Sequence, residues 1–504
     1  MPGGKRISSR TVRLRAAVVL ILAVLGIGLL LVPARRPVSP HAAAGTPFAW
    51  HEDARWEALE AAFLQARSAG CEALAPRIQQ TLGAGHRLLD NVISSQPAPQ
   101  NASFDDLERT TFDLGSMVAA CPQTIPDYLA FAGRMRSVVK RQSRSWGMGE
   151  PATRDRLYRL LYGGRAAVEE AMLQAPRAEA PALLRGEDEP SSTPSAEILG
   201  VRIHSGDILV SRGGAPTSAL IARGSDYPGN FSHVALVHVD GGSGAASVVE
   251  AHIERGVAVA TLPEYLKDVK LRVMVLRLRA DLPQIATNPN LPHEAATAAL
   301  ADARRHHIAY DFAMDFSDHR KLFCSEVASA AYEPFGITLW MRLSTVSSPG
   351  LARWLAGFGV THFRTQEPSD LEYDPQLVVV AEWRDPATLF ADHVDNAVVD
   401  AMLEGAERGA TLDYPWSLLA PARLAKFYSC VLNAFGLVGP VPEGLSAEGA
   451  LRTQRFDQIH AAIRDRLRHA SQQFERVHGY VPPYWELVKL AREASLEIER
   501  RGGG

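Results

Sequence analysis

The sequence predicts an α+β protein in which antiparallel strands are flanked on both sides by helical regions, behind an N-terminal transmembrane helix. Three observations support this fold class. Runs of β-branched residues closed by Gly, Asp or Pro lie between residues 206 and 385, and helical apolar spacing dominates on either side. An uncharged apolar run follows a basic N-terminus. The length of 504 residues fits about three domains.

The N-terminus carries a targeting signal. Five Lys or Arg residues precede the apolar run Ala16–Val32, which is at the short edge of what spans a bilayer. A cleaved signal peptide opens in the same way, but Arg35 and Arg36 follow the run where a cleavage site needs small neutral residues. We therefore favour an uncleaved anchor. Because positive charge is denser before the run, we expect a cytoplasmic N-terminus and an exported remainder.

Composition and periodicity divide the chain into segments. Pro- and Ser-rich stretches without apolar periodicity predict linkers, and the other segments follow from the local hydrophobic period. The predicted segments are a basic N-terminus (1–15), an anchor (16–32), a linker (33–49), a helical domain (50–185), a second linker (186–197), a strand-containing domain (198–385) and a helical C-terminal region (386–504).

The elements follow from local patterns. Apolar residues such as Leu59 and Phe63 recur at helical spacing in the first domain, where we expect a helical bundle up to about Arg185. Gly256 is available for a left-handed turn between two strands. The predicted strands are Gly206–Arg212, Ser232–Asp240, Ala246–Ile253, Gly256–Leu262, Lys270–Leu278 and Gln376–Asp385.

Composition excludes several classes of function. The net charge is −3 and the pI about 6.6, so the basic footprint of a nucleic-acid-binding protein is missing. The sequence has no Cys-x-x-Cys pair, which argues against a thiolate zinc site. We expect no metal or organic cofactor.

Export changes the interpretation of the four cysteines, because an oxidising compartment permits disulfides. Cys71 and Cys121 lie in one helical domain, and we expect them to pair, although four cysteines allow three connectivities. Cys430 lies on a predicted helix face, where we expect core packing.

Cys324, in the stretch KLFCSEVASAAY, is a packed apolar residue, one half of a disulfide or a nucleophile. We place it at the first turn of a helix, where free N–H groups and partial positive charge would stabilise a thiolate and the Cys324 N–H would be an oxyanion donor. A nucleophilic thiol also needs a base that a third group holds in place.

His233 and Glu250 are the candidates for those two roles. His233 lies where a loop becomes a strand, and Glu250 interrupts the next apolar strand, where an unpaired carboxylate would be costly. If the two strands form a hairpin, Glu250 could accept a hydrogen bond from the distal nitrogen of His233. The non-catalytic alternatives are that His233 is a structural histidine and that Glu250 faces solvent. His238 lies on the opposite face of the strand from His233, so the two cannot share a metal.

Four stretches, GDILVSR, SHVALV, VVEAHIERGV and FCSEVASAAY, in that order resemble the permuted, YiiX/YebB-like branch of the NlpC/P60 cysteine hydrolases. The resemblance implies a papain-like core in which the histidine strand precedes the cysteine helix. It further implies Cys324 as the nucleophile, His233 as the general base and Glu250 as the orienting residue. Tyr310 and Asp311, in AYDF, are expected at the pocket mouth.

The predicted function is a cell-envelope cysteine hydrolase, anchored in a bacterial inner membrane as a single-pass protein, that cleaves an amide or ester bond through a thioester. The resemblance implies two substrate classes, cell-wall peptides and acylated lipids or lipoproteins. Acyl transfer to an acceptor other than water uses the same thioester and stays an alternative. A third hypothesis is a non-catalytic envelope scaffold on a hydrolase core.

Overall fold

A computed structural model describes residues 28, 32, 42–49, 54–176, 180–339 and 342–502. Apart from two positions, the predicted anchor at 16–32 lies outside the described residues, as does the basic N-terminus. Within the described ranges, no helix is both long and apolar enough to cross a bilayer.

A bundle of helices precedes the sheet. Phe104 and Phe131, both fully buried, pack with Leu89 in its core. Asn101 caps one helix by accepting a hydrogen bond from the Ser103 N–H. Cys71 and Cys121 are joined as a disulfide between two of the helices' ends. The helices are α1 (Ala54–Ala69), α2 (Cys71–Ser95), α3 (Ala102–Ala119), α4 (Ile125–Ser143), α5 (Pro151–Tyr158) and, after a π-helical turn (Arg159–Gly163), α6 (Gly164–Leu173).

The centre of the protein is an antiparallel sheet of seven strands in the order β1-β13-β8-β4-β5-β6-β7. Alternate residues of the inner strands face two separate cores, with Val234 and Leu236 on one side and Ala235 and Val237 on the other. Its strands are β1 (Leu183–Arg185), β4 (Ile208–Gly213), β5 (His233–Val239), β6 (Ala246–His252), β7 (Gly256–Thr261), β8 (Lys270–Leu278) and β13 (Leu377–Trp383).

Strand β1 corrects the sequence prediction, which had helix up to Arg185. Leu183–Arg185 pairs with β13 and completes one edge of the sheet. Three residues are too few to show a hydrophobic period. Pairing with β13, and not the local sequence pattern, therefore determines this strand. Gly256 adopts φ 71° at the turn between β6 and β7, as predicted.

Shorter elements surround the sheet. Helix α10 (Leu291–Arg305) packs against β5 and against α11 (Glu326–Tyr332), the helix that follows Cys324. These elements are β2 (Ser195–Ile198), β3 (Val201–His204), α7 (Pro216–Arg223), α8 (Leu262–Lys267), α9 (Pro283–Thr287), α10 (Leu291–Arg305), β9 (Ala309–Tyr310), β10 (Lys321–Leu322), α11 (Glu326–Tyr332), β11 (Ser344–Thr345), α12 (Pro349–Phe358), β12 (Arg364–Thr365) and α13 (Asp370–Tyr373).

Helices return after the sheet, as the sequence predicts. Helix α14 packs against α16, α17 and α7 around the buried residues Val398 and Phe456. The helices are α14 (Pro386–Glu407), α15 (Leu419–Ala434), α16 (Ala447–His478) and α17 (Tyr484–Gly502). The prediction of an α+β protein with helical flanks is confirmed.

Buried ion pairs join the three parts of the fold. Arg272 on β8 donates to Glu169 on α6 at 2.6 Å and to Asp392 on α14 at 2.8 Å. His393 Nε2 lies 3.0 Å from the same glutamate. All of these side chains are almost fully buried, so each charge depends on its partner for stabilisation. The ion pairs therefore tie the two helical regions to the sheet.

Candidate active site

The first pair of site residues is His233 and Glu250, on neighbouring strands. Strands β5 and β6 form an antiparallel hairpin in which Ala235 lies opposite Glu250, so His233 reaches the glutamate diagonally on the same face. The His233 Nε2 atom is 2.7 Å from Glu250 Oε2. The hairpin thus brings together the two residues that the sequence predicted as neighbours.

A second imidazole shares the carboxylate. His252 Nε2 lies 3.1 Å from Glu250 Oε1, so the two oxygens of Glu250 face different histidines. Burial alone would raise the pKa of Glu250, but hydrogen bonds from His233 and His252 hold it well below its usual range. Glu250 is therefore a fixed negative charge behind His233.

Burial lowers the pKa of His233, and the hydrogen bond that its Nε2–H donates to Glu250 opposes this shift only in part. The His233 ring is consequently neutral at pH values where a free imidazole is partly charged. Because Glu250 holds Nε2, the Nδ1 atom is the nitrogen left to take up a proton.

Cys324 contacts the residue that precedes His233. Its thiol donates to the carbonyl oxygen of Ser232, the residue before His233, with 3.6 Å between sulfur and oxygen. The two side chains line the same cavity. A sulfur late in the chain and an imidazole from much earlier therefore meet in one place.

The environment of Cys324 differs from the prediction. The residue lies in a turn two positions before α11, not within the first turn of that helix, and α11 has only seven residues. The side chain is 4% exposed, and burial raises the pKa of its thiol to about 11, although a hydrogen bond with Ser325 acts in the opposite direction. The expectation of a thiolate stabilised by the helix start is therefore wrong. The resting form is a neutral thiol that needs a base.

Tyr310 contributes a hydroxyl at the same point. It lies on β9, which pairs with β10 immediately before Cys324. Tyr310 lines the same cavity as Cys324, and burial, followed by the electrostatic influence of the Cys324 thiol, raises the pKa of Tyr310 well above its usual value. This phenol therefore stays protonated and able to donate.

Asp311 is placed elsewhere. It is buried outside the cavity lining, and its carboxylate accepts hydrogen bonds from the backbone N–H groups of Ala313 and Asp315, at 3.0 and 2.7 Å. It shapes the loop after Tyr310. The structure thus brings Tyr310, but not Asp311, to the cavity.

The cavity has a volume of about 670 Å³ and opens to solvent. Its walls come from the sheet, from α7 and the loop before it, from the β6–β7 turn, from the loop before β8, and from one residue of the C-terminal region, Val438. The lining includes Ser232, His233, His252, Tyr310, Cys324 and Val438. A pocket of this size accommodates a substrate with several bonds on either side of a scissile carbonyl.

Two residues in or near the candidate site were not identified from the sequence. His252 lies two residues after Glu250 on β6 and therefore on the same face of the strand, and this spacing is the signal that the sequence offers for it. Glu326 is fully buried and accepts a hydrogen bond from the Phe323 N–H at 3.0 Å, and burial raises its pKa to about 8. No pattern in the sequence distinguishes it from a solvent-facing helix residue.

His238, which the sequence placed on the opposite face from His233, stacks beside His293 with 5.4 Å between ring centroids. It takes no part in the cavity lining. In the described part of the chain, no cluster of three or more His, Cys, Asp or Glu side chains is arranged to hold a metal ion.

The strand order, the cavity and the late cysteine agree with one family. Residues 202–380 match the model of the Peptidase_C92 family, described as permuted papain-like amidase enzymes of the YaeF/YiiX type. This segment is a C92 domain. It is accordingly a papain-like cysteine hydrolase domain, and the resemblance to the YiiX-like permuted group is confirmed.

A solved structure is similar to part of the chain. A crystal structure of the metalloprotein yiiX from Escherichia coli O157:H7 is 20% identical, covers 36% of this chain and 97% of its own, and has a TM-score of 0.27. At that score the likeness supports no inference about this chain. No curated protein matches the sequence. The helical regions on both sides lie outside the C92 match.

Proposed function

We propose that the C92 domain hydrolyses an amide or ester bond through a Cys324–His233–Glu250 triad and a thioester intermediate. The observation that carries this proposal is the convergence of three groups: the Cys324 thiol and His233 share a cavity, and Glu250 holds the far nitrogen of that histidine. A base fixed by an acid beside a nucleophile is the arrangement that acyl transfer requires.

In the first half-reaction the Cys324 thiol gives its proton to His233 Nδ1 as the sulfur attacks the substrate carbonyl carbon. The negative charge then develops on the carbonyl oxygen. The candidate donors to that oxygen are the backbone N–H of Cys324 itself and the hydroxyl of Tyr310, which lines the same cavity. The carbon–heteroatom bond breaks, the leaving amine or alcohol takes the proton from His233, and a thioester remains on Cys324.

In the second half-reaction water gives a proton to the neutral His233 as its oxygen attacks the thioester. The carbon–sulfur bond breaks and the sulfur recovers the proton, which releases a carboxylic acid. Glu250 stays ionised throughout, because its role is to hold the ring and to stabilise the imidazolium that forms in each half-reaction.

For the biological setting we propose a cell-envelope enzyme, anchored by residues 16–32 in a bacterial inner membrane with the C92 domain outside the cytoplasm. The apolar run and the charge asymmetry of the N-terminus support this topology. The substrates proposed are cell-wall peptides or acylated lipids and lipoproteins.

The test is to trap the thioester. The purified chain is mixed with p-nitrophenyl octanoate, quenched in acid and analysed by peptide mass spectrometry. We expect an octanoyl group on the Cys324 peptide that decays on return to neutral pH, and none in Cys324→Ala. Turnover that persists in pure Cys324→Ala, or an acyl group found only on the Cys430 peptide, would refute the mechanism. Added primary alcohol that diverts the product to an ester would favour acyl transfer over hydrolysis.

A further inference from the structure

The C-terminal region carries a continuous apolar surface. More than half of the large hydrophobic side chains that the described residues expose lie between positions 414 and 442, on α15 and its flanking turns. Phe427 and Phe435, for example, are 70% and 77% exposed. We call the following side chains the α15 surface: Trp416, Leu418, Leu424, Phe427, Tyr428, Val431, Phe435, Leu437 and Val438.

The spacing of these residues forms one face of a helix. Phe427 and Tyr428 lie three and four residues after Leu424, Val431 lies three residues after Tyr428, and Phe435 follows four residues later at the end of α15, so these side chains share one side of the helix. The other side packs against α16 and is fixed by an ion pair between Arg423 and Glu448. The helix is therefore amphipathic in the reverse sense to a core helix, with its apolar stripe facing solvent.

The composition of the segment favours a lipid surface as the occupant. Residues 414–442 contain no Asp or Glu, and their charged residues are Arg423 and Lys426, although the whole chain has a net charge of −3. Aliphatic side chains interspersed with Trp and Tyr are typical of helices that lie in the interface of a bilayer, and the absence of acidic side chains from the segment avoids repulsion by anionic lipids. The Lys426 ammonium group donates to the Pro442 carbonyl at 2.8 Å. This hydrogen bond holds the turn after α15 close to the helix.

The N-terminal segment supplies a second, independent argument. Ala42 and Ala43, the first residues of the described stretch 42–49, pack against the C-terminal core that contains Phe456 of α16. Only residues 33–41 separate Ala42 from the apolar run that ends at Val32, and a chain of that length spans at most about 30 Å. An anchor at 16–32 would thus keep the C-terminal region within reach of the bilayer.

The α15 surface also reaches the candidate active site. Val438, its last member, lines the cavity that holds Cys324 and His233. A bilayer in contact with this surface would lie at the mouth of the cavity.

We propose that the α15 surface docks on an anionic lipid bilayer, with the apolar stripe of α15 inserted among the headgroups and the cavity mouth facing the lipid. This proposal goes beyond the hydrolase mechanism and does not depend on turnover.

Cys430, exposed on α15, provides the probe. The full chain is prepared as Cys324→Ala, labelled at Cys430 with an NBD fluorophore, and reconstituted in vesicles of phosphatidylethanolamine and phosphatidylglycerol. We expect blue-shifted emission and loss of most of the fluorescence when doxyl-labelled phospholipid is included. The matched control carries the label at an exposed position of the first helical bundle, as Ser94→Cys in a Cys430→Ser background, and should show neither change. Phe427→Glu, at an exposed site, should abolish both changes at position 430, and replacing phosphatidylglycerol with phosphatidylcholine should weaken them.

Three results would overturn the proposal. The first is an aqueous spectrum at Cys430 in the vesicles, and the second is equal quenching at position 94. The third is a blue shift without lipid, which would mean a second copy of the chain if it depends on protein concentration and the chain's own N-terminal segment if it does not. Because the measurement uses an inactive variant, docking can hold even if the proposed triad fails, and the triad can hold even if docking fails.

Discussion

The His233 Nε2 atom lies 2.7 Å from Glu250 Oε2, and this contact leaves Nδ1 as the nitrogen that the proposed mechanism uses. The Cys324 thiol donates to the carbonyl of Ser232, the residue before His233, and lines the same cavity as the imidazole. The β5–β6 hairpin fixes this geometry, so the orientation of the base is set by strand register and not by a flexible loop.

The first prediction concerns Glu250→Gln. The amide keeps the size of the side chain but removes the negative charge that stabilises the imidazolium, so kcat should fall about 100-fold or more with little change in KM. Glu250 now opposes the lowering of the His233 pKa, so its loss should shift the acidic limb of kcat/KM to lower pH. The pH profile with p-nitrophenyl octanoate measures both effects.

His252→Gln is the matched control for this experiment. His252 contacts only the far oxygen of Glu250, at 3.1 Å, so kcat should fall by less than about tenfold. Equal losses in the two variants would assign the orienting role to the His252–Glu250 pair as a unit. Unchanged kcat in Glu250→Gln, with an unchanged melting temperature, would remove Glu250 from the mechanism.

The second prediction concerns the protonation of Cys324. Since burial raises the pKa of the thiol to about 11, the thiolate fraction should increase about tenfold per pH unit through the neutral range. The rate of iodoacetamide alkylation at the Cys324 peptide, followed by mass spectrometry from mildly acidic to mildly alkaline pH, should rise accordingly. A rate that is already high and flat in mild acid would instead indicate a preformed thiolate–imidazolium pair.

Much of the strand-containing domain could be predicted from local patterns. The β-branched runs of β4 to β8 and β13 are recognisable as strands from the sequence. If β5 and β6 are assumed to form a hairpin, their pairing places Glu250 near His233. The order of the stretches then indicates the permuted papain-like arrangement. These inferences succeed because each depends on a short segment or on one tight connection.

Other features depend on long-range packing and were missed or wrong. The burial of Cys324, which reverses the expected direction of its pKa shift, results from Phe323, Tyr310 and the sheet closing around it. Cys430 was expected in a core, but it is exposed because α15 packs on α16 with only one side. The residues of β1 resemble helix until β13 is there to pair with them.

The third prediction is that Tyr310→Phe will lower kcat about 100-fold and leave KM nearly unchanged. The substitution removes the hydroxyl beside the Cys324 thiol and N–H but keeps the buried ring, so packing is preserved. Tyr227→Phe, which removes a hydroxyl that donates to Asp155 at 2.6 Å in another region, should leave both constants unchanged. A loss of the same size in KM alone would mean that Tyr310 positions the substrate without stabilising the oxyanion.

The fourth prediction concerns the buried ion pairs between the sheet and its helical flanks. Arg272→Met leaves Glu169 and Asp392 without their main partner in an almost fully buried position, which should reduce the free energy of unfolding by about 3–5 kcal/mol. Because Arg272 lies on β8 between helices of both flanking regions, we expect the whole chain to unfold at lower denaturant concentration in one transition. Arg320→Met, whose ion pair with Asp318 is exposed to solvent, should leave the transition unchanged. Denaturant unfolding followed by far-UV circular dichroism measures both variants, and separate transitions for the helical and strand-containing parts of Arg272→Met would show that other contacts, and not this arginine, join them.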